Sequence, residues 1–231
     1  MKLYRSFVTV GGLTLVSRVL GFVRDILFAW AFGSGMVADA FNVAFRFPNL
    51  FRRLFGEGAF NSAFIPLFAK ELEGNGRDAA RRFASEAMSG LTFVLVVLSA
   101  IFIIGMPWLM YLLAPGFSEV PEKFDLAVLL TQITFPYLLC MSLVALFSGV
   151  LNTFGKFVES SAVSIVLNLT LSIAIFIGFG MGYRNEPGGG IVQAVGVFVA
   201  GILQLWLLWD GLRRNNFTLE LTRPRMTDGV R

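Results

Sequence analysis

Residues 17–57, SRVLGFVRDILFAWAFGSGMVADAFNVAFRFPNLFRRLFGE, decide how this chain folds. Apolar residues fill the run to the length of two membrane-spanning helices, parted by Gly33-Ser34-Gly35. Yet it holds Arg18, Arg24, Asp25, Asp39, Arg46, Arg52, Arg53 and Glu57. A charged side chain at bilayer depth costs roughly 2.5–3.5 kcal/mol on insertion scales. A cluster of them therefore needs a reason. The expectation is an electropositive, water-accessible cavity that receives an anionic substrate.

Outside this stretch the chain is apolar in long blocks. Of 231 residues 56% are hydrophobic and only 15% charged, with a mean hydropathy of +0.73. A soluble domain carries about 25% charged residues, and several blocks exceed the roughly 18 apolar residues of a spanning helix. The fold class expected is an all-α polytopic membrane protein. The formal charge is +4, but the basic residues lie mostly in short segments between apolar blocks, a pattern of topology signals rather than of a nucleic-acid face. With no histidine and one cysteine, Cys140, the chain offers no imidazole base, no histidine metal site and no internal disulfide. Lys2 and Arg5 ahead of an apolar run imitate a secretory signal. No small-residue cleavage site follows, so an uncleaved first helix is expected.

Six spans are expected, at about 7–32, 37–68, 84–113, 126–154, 158–179 and 191–212. The second is interrupted by Pro48, Gly56, Gly58 and Pro66, which is tolerated in a membrane where the backbone faces protein or a wet cavity. Residues 70–82 and 180–190 read as loops. Twelve basic residues fall on one side of such a topology, against Lys123 and Arg184 on the other. Positive residues favour the cytoplasm, so both ends of the chain are expected inside. Residues 1–212 then form one six-helix transmembrane unit, and 213–231 a polar cytoplasmic tail that ends short of a further unit.

Positions seven apart share a helix face. Asp39, Arg46 and Arg53 are so spaced, with Glu57 four beyond Arg53; Arg18 and Asp25 are likewise seven apart, and Arg24 stands at the edge of their face. Arg46 reads equally as a ligand or as the structural partner of Asp39. Arg52 and Arg53 have the alternative of snorkelling to headgroups. Asp25 and Glu57 suit charge balance or a gate better than direct contact with an anion. Five cations against three anions leave a positive surplus, and the planar arginine fork suits phosphate by donating two parallel hydrogen bonds. A pyrophosphate-bearing substrate matches that surplus. The glycines Gly196 and Gly201 read as close-packing positions between helices.

SRVLGFVRD (17–25), DAFNVAFRFPNLFRRLFGEGAFNSAFIPLF (39–68), APGF (114–117), QITFPYLL (132–139) and NTFGKF (152–157) resemble, in that order, the MurJ/MviN family of lipid II flippases. The resemblance implies the N-terminal lobe of a MATE-like transporter of the multidrug/oligosaccharidyl-lipid/polysaccharide superfamily, built from two six-helix lobes around a central cavity. It implies translocation of the undecaprenyl-pyrophosphate-linked peptidoglycan precursor, lipid II, from the inner to the outer leaflet of the bacterial plasma membrane for cell wall biogenesis. The family's cavity arginines match Arg18, Arg24, Arg52 and Arg53, its acidic positions match Asp25, Asp39 and Glu57, and the basic position before the proline is Arg46. The partners implied are lipid II and membrane lipids, with no nucleic acid, no metal, no cofactor and no catalytic residue; the coupling ion stays open. The rival readings are another exporter of the superfamily (polysaccharide-lipid or drug/cation), a structural membrane protein whose charges pair between helices, and an enzyme acting on lipid-linked pyrophosphates. The sign of the charge surplus argues against a cation exporter. The enzyme would need a base or metal-binding carboxylates at a polar loop, and the sequence contains no such cluster.

Overall fold

A computed structural model describes the backbone of residues 2–52 and 59–222, and the side chains of residues 9–46, 48–50 and 62–222. The described residues form eight α-helices: α1 (Lys2–Phe32), α2 (Met36–Arg52), α3 (Ala59–Gly74), α4 (Gly76–Leu113), α5 (Pro121–Thr134), α6 (Tyr137–Thr153), α7 (Phe157–Gly180) and α8 (Pro187–Arg214), with a 3₁₀ turn at Pro115–Glu119 before α5. The all-helical expectation holds. Four helical stretches have the length and apolarity to cross a membrane: Gly76–Leu113, Pro121–Thr153, Phe157–Gly180 and Pro187–Arg214. The remaining two expected spans are α1 and the α2–α3 stretch, where the charges are concentrated.

Two local readings change. The polar segment 70–82 is helical except around Asn75, because α3 runs to Gly74 and α4 starts at Gly76, whose φ is +83°. Lysine, glutamate, arginine and alanine there are good helix formers, and only Gly74-Asn75-Gly76 breaks the run. The second change is at Phe135-Pro136, where the fourth span divides into α5 and α6. Proline supplies no backbone donor at that step, and the Leu138 and Leu139 amides bond Phe135 O and Pro136 O instead.

The helices pack mainly as α1 on α7, α7 on α8, α2 on α5 and α6 on α8. α6 is the centre: Tyr137, Leu138, Leu146, Val150 and Leu151 are all nearly or fully buried. A helix apolar on all sides belongs inside. α4 and α7 instead expose Phe93, Ile101, Ile104, Trp108, Ile173 and Phe176, as helices bathed in hydrocarbon do. Close packing of α8 depends on small residues. A Cβ at Gly201 would lie 2.7 Å from Tyr137 Cδ2 and 2.9 Å from Cys140 Cβ, and one at Gly196 would lie 2.7 Å from Ala174 Cβ.

Beyond α8 the chain lies back on the bundle. Phe217 and Leu219 are buried, with Phe217 edge-on to Phe68 and Phe154 at centroid distances of 5.8 and 5.0 Å. The Glu220 and Thr222 amides donate to Ser85 Oγ and Ser89 Oγ at 3.1 and 2.9 Å. Arg77 Nη2 donates to Asn215 O at 2.7 Å. Residues 215–222 thus form a strap across α4.

Candidate functional site

A cavity of about 530 Å³ opens between α1, α2, α6, α7 and α8. Among the described residues Arg24 of α1 is its only charged lining residue, and Asn49, Ser148, Asn152, Ser160, Ser164 and Asn168 supply most of its polar wall. The guanidinium is fixed from two sides. Nε and Nη2 both donate to Asp25 Oδ1, at 3.1 and 2.6 Å, and Nη1 donates to Asn168 Oδ1 at 2.9 Å. Asn168, at the middle of α7 and buried, uses its Nδ2 on Ser17 O at 2.9 Å. One carboxamide therefore ties α1 to α7 twice and aims the arginine. The Arg24 side chain keeps 23% of its surface open, and a guanidinium has more N–H donors than these bonds consume. It can still receive an anion.

Arg24 also lines a second, smaller cavity of about 80 Å³ with Asp25, Asn42 and Gln193. Gln193 is 1% exposed and its Oε1 has no hydrogen-bond partner among the described residues. An aromatic chain runs beside these hollows and contributes to their walls. It runs Phe32, Phe28, Phe41, Phe45, Tyr137, with centroid spacings of 4.9, 5.3, 5.9 and 6.3 Å.

Among the described residues, those singled out in the sequence do not converge into one cluster. Arg24 and Asp25 stand together, as neighbours rather than through the seven-residue spacing of Arg18 and Asp25. Arg18 is exposed on α1 and makes no ion pair among the described residues. Arg46 is exposed on α2 and likewise makes none. Asp39 pairs across the bundle instead: its Oδ2 receives Lys123 Nζ at 2.6 Å, and the same ammonium lies 4.3 Å from the Phe117 ring centroid. The alternative of Asp39 as partner to Arg46 therefore gives way to a bond between α2 and the first turn of α5. Arg52 closes α2 with its side chain outside the described residues, and Arg53 and Glu57 lie outside them altogether.

Asn168 and the cavity serines escaped the sequence reading. The only signal available was their spacing: Ser160, Ser164 and Asn168 recur every four residues in α7, and Ser148 and Asn152 do so in α6. Uncharged side chains at that spacing also suit helix packing in a membrane, so the pattern was ambiguous without the cavity.

Comparison with known proteins bears directly on this arrangement. A family model described as "Lipid II flippase MurJ" matches residues 28–231. The "Probable lipid II flippase MurJ" of Rhizobium tropici is 46% identical over 232 residues, covering all of this chain and 43% of the relative. The "Lipid II flippase MurJ" of Burkholderia cenocepacia is 39% identical over 215 residues, covering 93% of this chain and 41% of the relative. The chain thus spans less than half the length of these relatives. A solved structure titled "Lipid II flippase MurJ, inward closed conformation" superposes with a TM-score of 0.76 at 28% identity, over 94% of this chain and 44% of that one. With the family model over residues 28–231 and relatives alike over nearly all of its length, the chain belongs to the MurJ family.

Proposed function

We propose that this chain is the N-terminal, cavity-bearing lobe of a lipid II flippase in the bacterial plasma membrane. The observation that carries this reading is Arg24: a guanidinium at the mid-depth of α7, positioned by Asp25 and Asn168, open to a polar cavity of about 530 Å³. The pyrophosphate of the lipid-linked precursor is bound there by charge-assisted hydrogen bonds. Arg18, Arg46, Arg52 and Arg53 add positive potential along its route, and Asp25, Asp39 and Glu57 balance charge. The sugar-peptide headgroup travels through the wet cavity while the polyprenyl tail stays in lipid. This lobe and a second lobe rock to open the cavity first to the cytoplasm, where both ends of residues 1–212 lie, and then to the outside. Moving one charge across the membrane is worth about 2.3 kcal/mol per 100 mV, enough to give the cycle direction.

In a full-length chain carrying this lobe, Arg24→Ala is expected to abolish complementation of a flippase-depleted strain while its abundance in the membrane is unchanged. Normal growth of that variant overturns the reading.

A further inference from the structure

The wall of the large cavity is more specific than an anion site requires. Among the described residues, Arg24 is the one charged side chain on it. α6 presents Ser148 and Asn152 to it and α7 presents Ser160 and Ser164, each pair four residues apart and so on one face of its helix. The Ser160 hydroxyl donates to Asn152 Oδ1 at 2.9 Å, joining the two rows at the end remote from Arg24. Elsewhere in these helices serine hydroxyls turn back on their own backbone: Ser142 to Leu138 O, Ser161 to Phe157 O and Ser172 to Asn168 O, at 2.8–2.9 Å. Ser148 and Ser164 make no such bond among the described residues; both line the cavity, Ser148 half-buried and Ser164 exposed. From Asn168 to Ser160 the row runs about 12 Å, at 1.5 Å per residue.

These groups share a chemistry. Hydroxyls and carboxamides both donate and accept, and they are neutral. They match sugar hydroxyl and N-acetyl groups, which also do both. A phosphate asks only for donors, and a polyprenyl chain asks for neither. Phe45, half-buried, adds aromatic surface to the same wall, against which the apolar face of a sugar ring can lie.

We infer that the α6–α7 wall is a glycan subsite: with the pyrophosphate of a lipid-linked glycan on Arg24, the sugars next to it lie along Ser148 and Asn152 on one side and Ser160 and Ser164 on the other. This rests on the reading of Arg24 as the pyrophosphate site, and it assigns α6 and α7 the discrimination between glycosylated and bare pyrophosphate lipids.

The test is lipid retention by this chain in nanodiscs, read by native mass spectrometry with three probes. These are undecaprenol, undecaprenyl pyrophosphate, and undecaprenyl pyrophosphate bearing an N-acetylhexosamine disaccharide. The unaltered chain is expected to hold the disaccharide lipid about tenfold better than the bare pyrophosphate, as a few modest hydrogen bonds would give. Ser148→Ala with Ser164→Ala is expected to bring those two lipids to parity by weakening only the disaccharide one. Arg24→Gln lowers both together. A double variant that keeps the preference, or that weakens both lipids equally, overturns the glycan subsite. So does equal retention by the unaltered chain, which leaves Arg24 standing. Retention of neither pyrophosphate lipid above undecaprenol removes the Arg24 reading itself, and the subsite with it.

Discussion

Two ion pairs of equal length, 2.6 Å each, sit in different regions of this bundle and serve different ends. Lys123–Asp39 joins residues 84 apart, seals α2 to α5, and has the Phe117 ring beside the ammonium. Arg24–Asp25 joins neighbours on one helix, so it fastens no two elements together. Its cation keeps donors facing a cavity, and its second partner, Asn168, belongs to another helix. The Lys123–Asp39 pair spends its charge on the fold, whereas the Arg24–Asp25 pair leaves its cation facing a cavity. Short distance alone separates neither case; sequence separation and unused hydrogen-bonding capacity do.

The largest effect is expected from Arg24→Lys in a full-length chain. The charge survives but the two-pronged geometry does not, so lipid II transfer across vesicles falls about tenfold to a hundredfold, the worth of a lost charged hydrogen bond. Wild-type transfer would erase the contrast between the pairs. Asn168→Leu comes next. It strips Arg24 of its α7 partner and removes the side-chain tie to Ser17 O, at a cost of about 1–3 kcal/mol in detergent unfolding. An unchanged unfolding midpoint would show that the carboxamide fastens nothing. Lys123→Met should cost only about 0.2–1 kcal/mol, as half-exposed pairs do, and the charge-swapped pair Asp39→Lys with Lys123→Asp should recover part of that. A collapse in transfer, with stability intact, would move the Lys123–Asp39 pair to the functional side of the comparison. The smallest effect belongs to Gln193→Leu. Its Oε1 is buried without a partner among the described residues, so an apolar replacement of similar shape is expected to leave stability within about 0.5 kcal/mol or raise it.

Much of the scaffold was legible because hydrocarbon imposes it. Apolar blocks of spanning length, the Gly33-Ser34-Gly35 turn between α1 and α2, and close contact at Gly196 and Gly201 follow from local composition. The 70–82 segment misled because polarity was read as loop, although its residues are strong helix formers. Charge spacing put Arg18 and Asp25 on one face with Arg24 at its edge, but a seven-residue repeat describes one helix in isolation and does not show that Arg24 reaches sideways to Asp25 and across to α7. Lys123 could not be matched to Asp39 from spacing, since only tertiary packing brings α5 against α2. Asn168 was invisible for a related reason. It carries no charge, and its two bonds run to residues 151 and 144 positions away.

The carboxylate at Asp25 has a further consequence. It immobilises the arginine, so under the proposed function an incoming phosphate need not supply the entropy of ordering that side chain. The same oxygen would contend with that phosphate for the same N–H groups. Entry is eased by preorganisation and departure by an internal competitor that is always within reach. A carrier must release its cargo as readily as it captures it, and an arginine beside its own rival anion is suited to both.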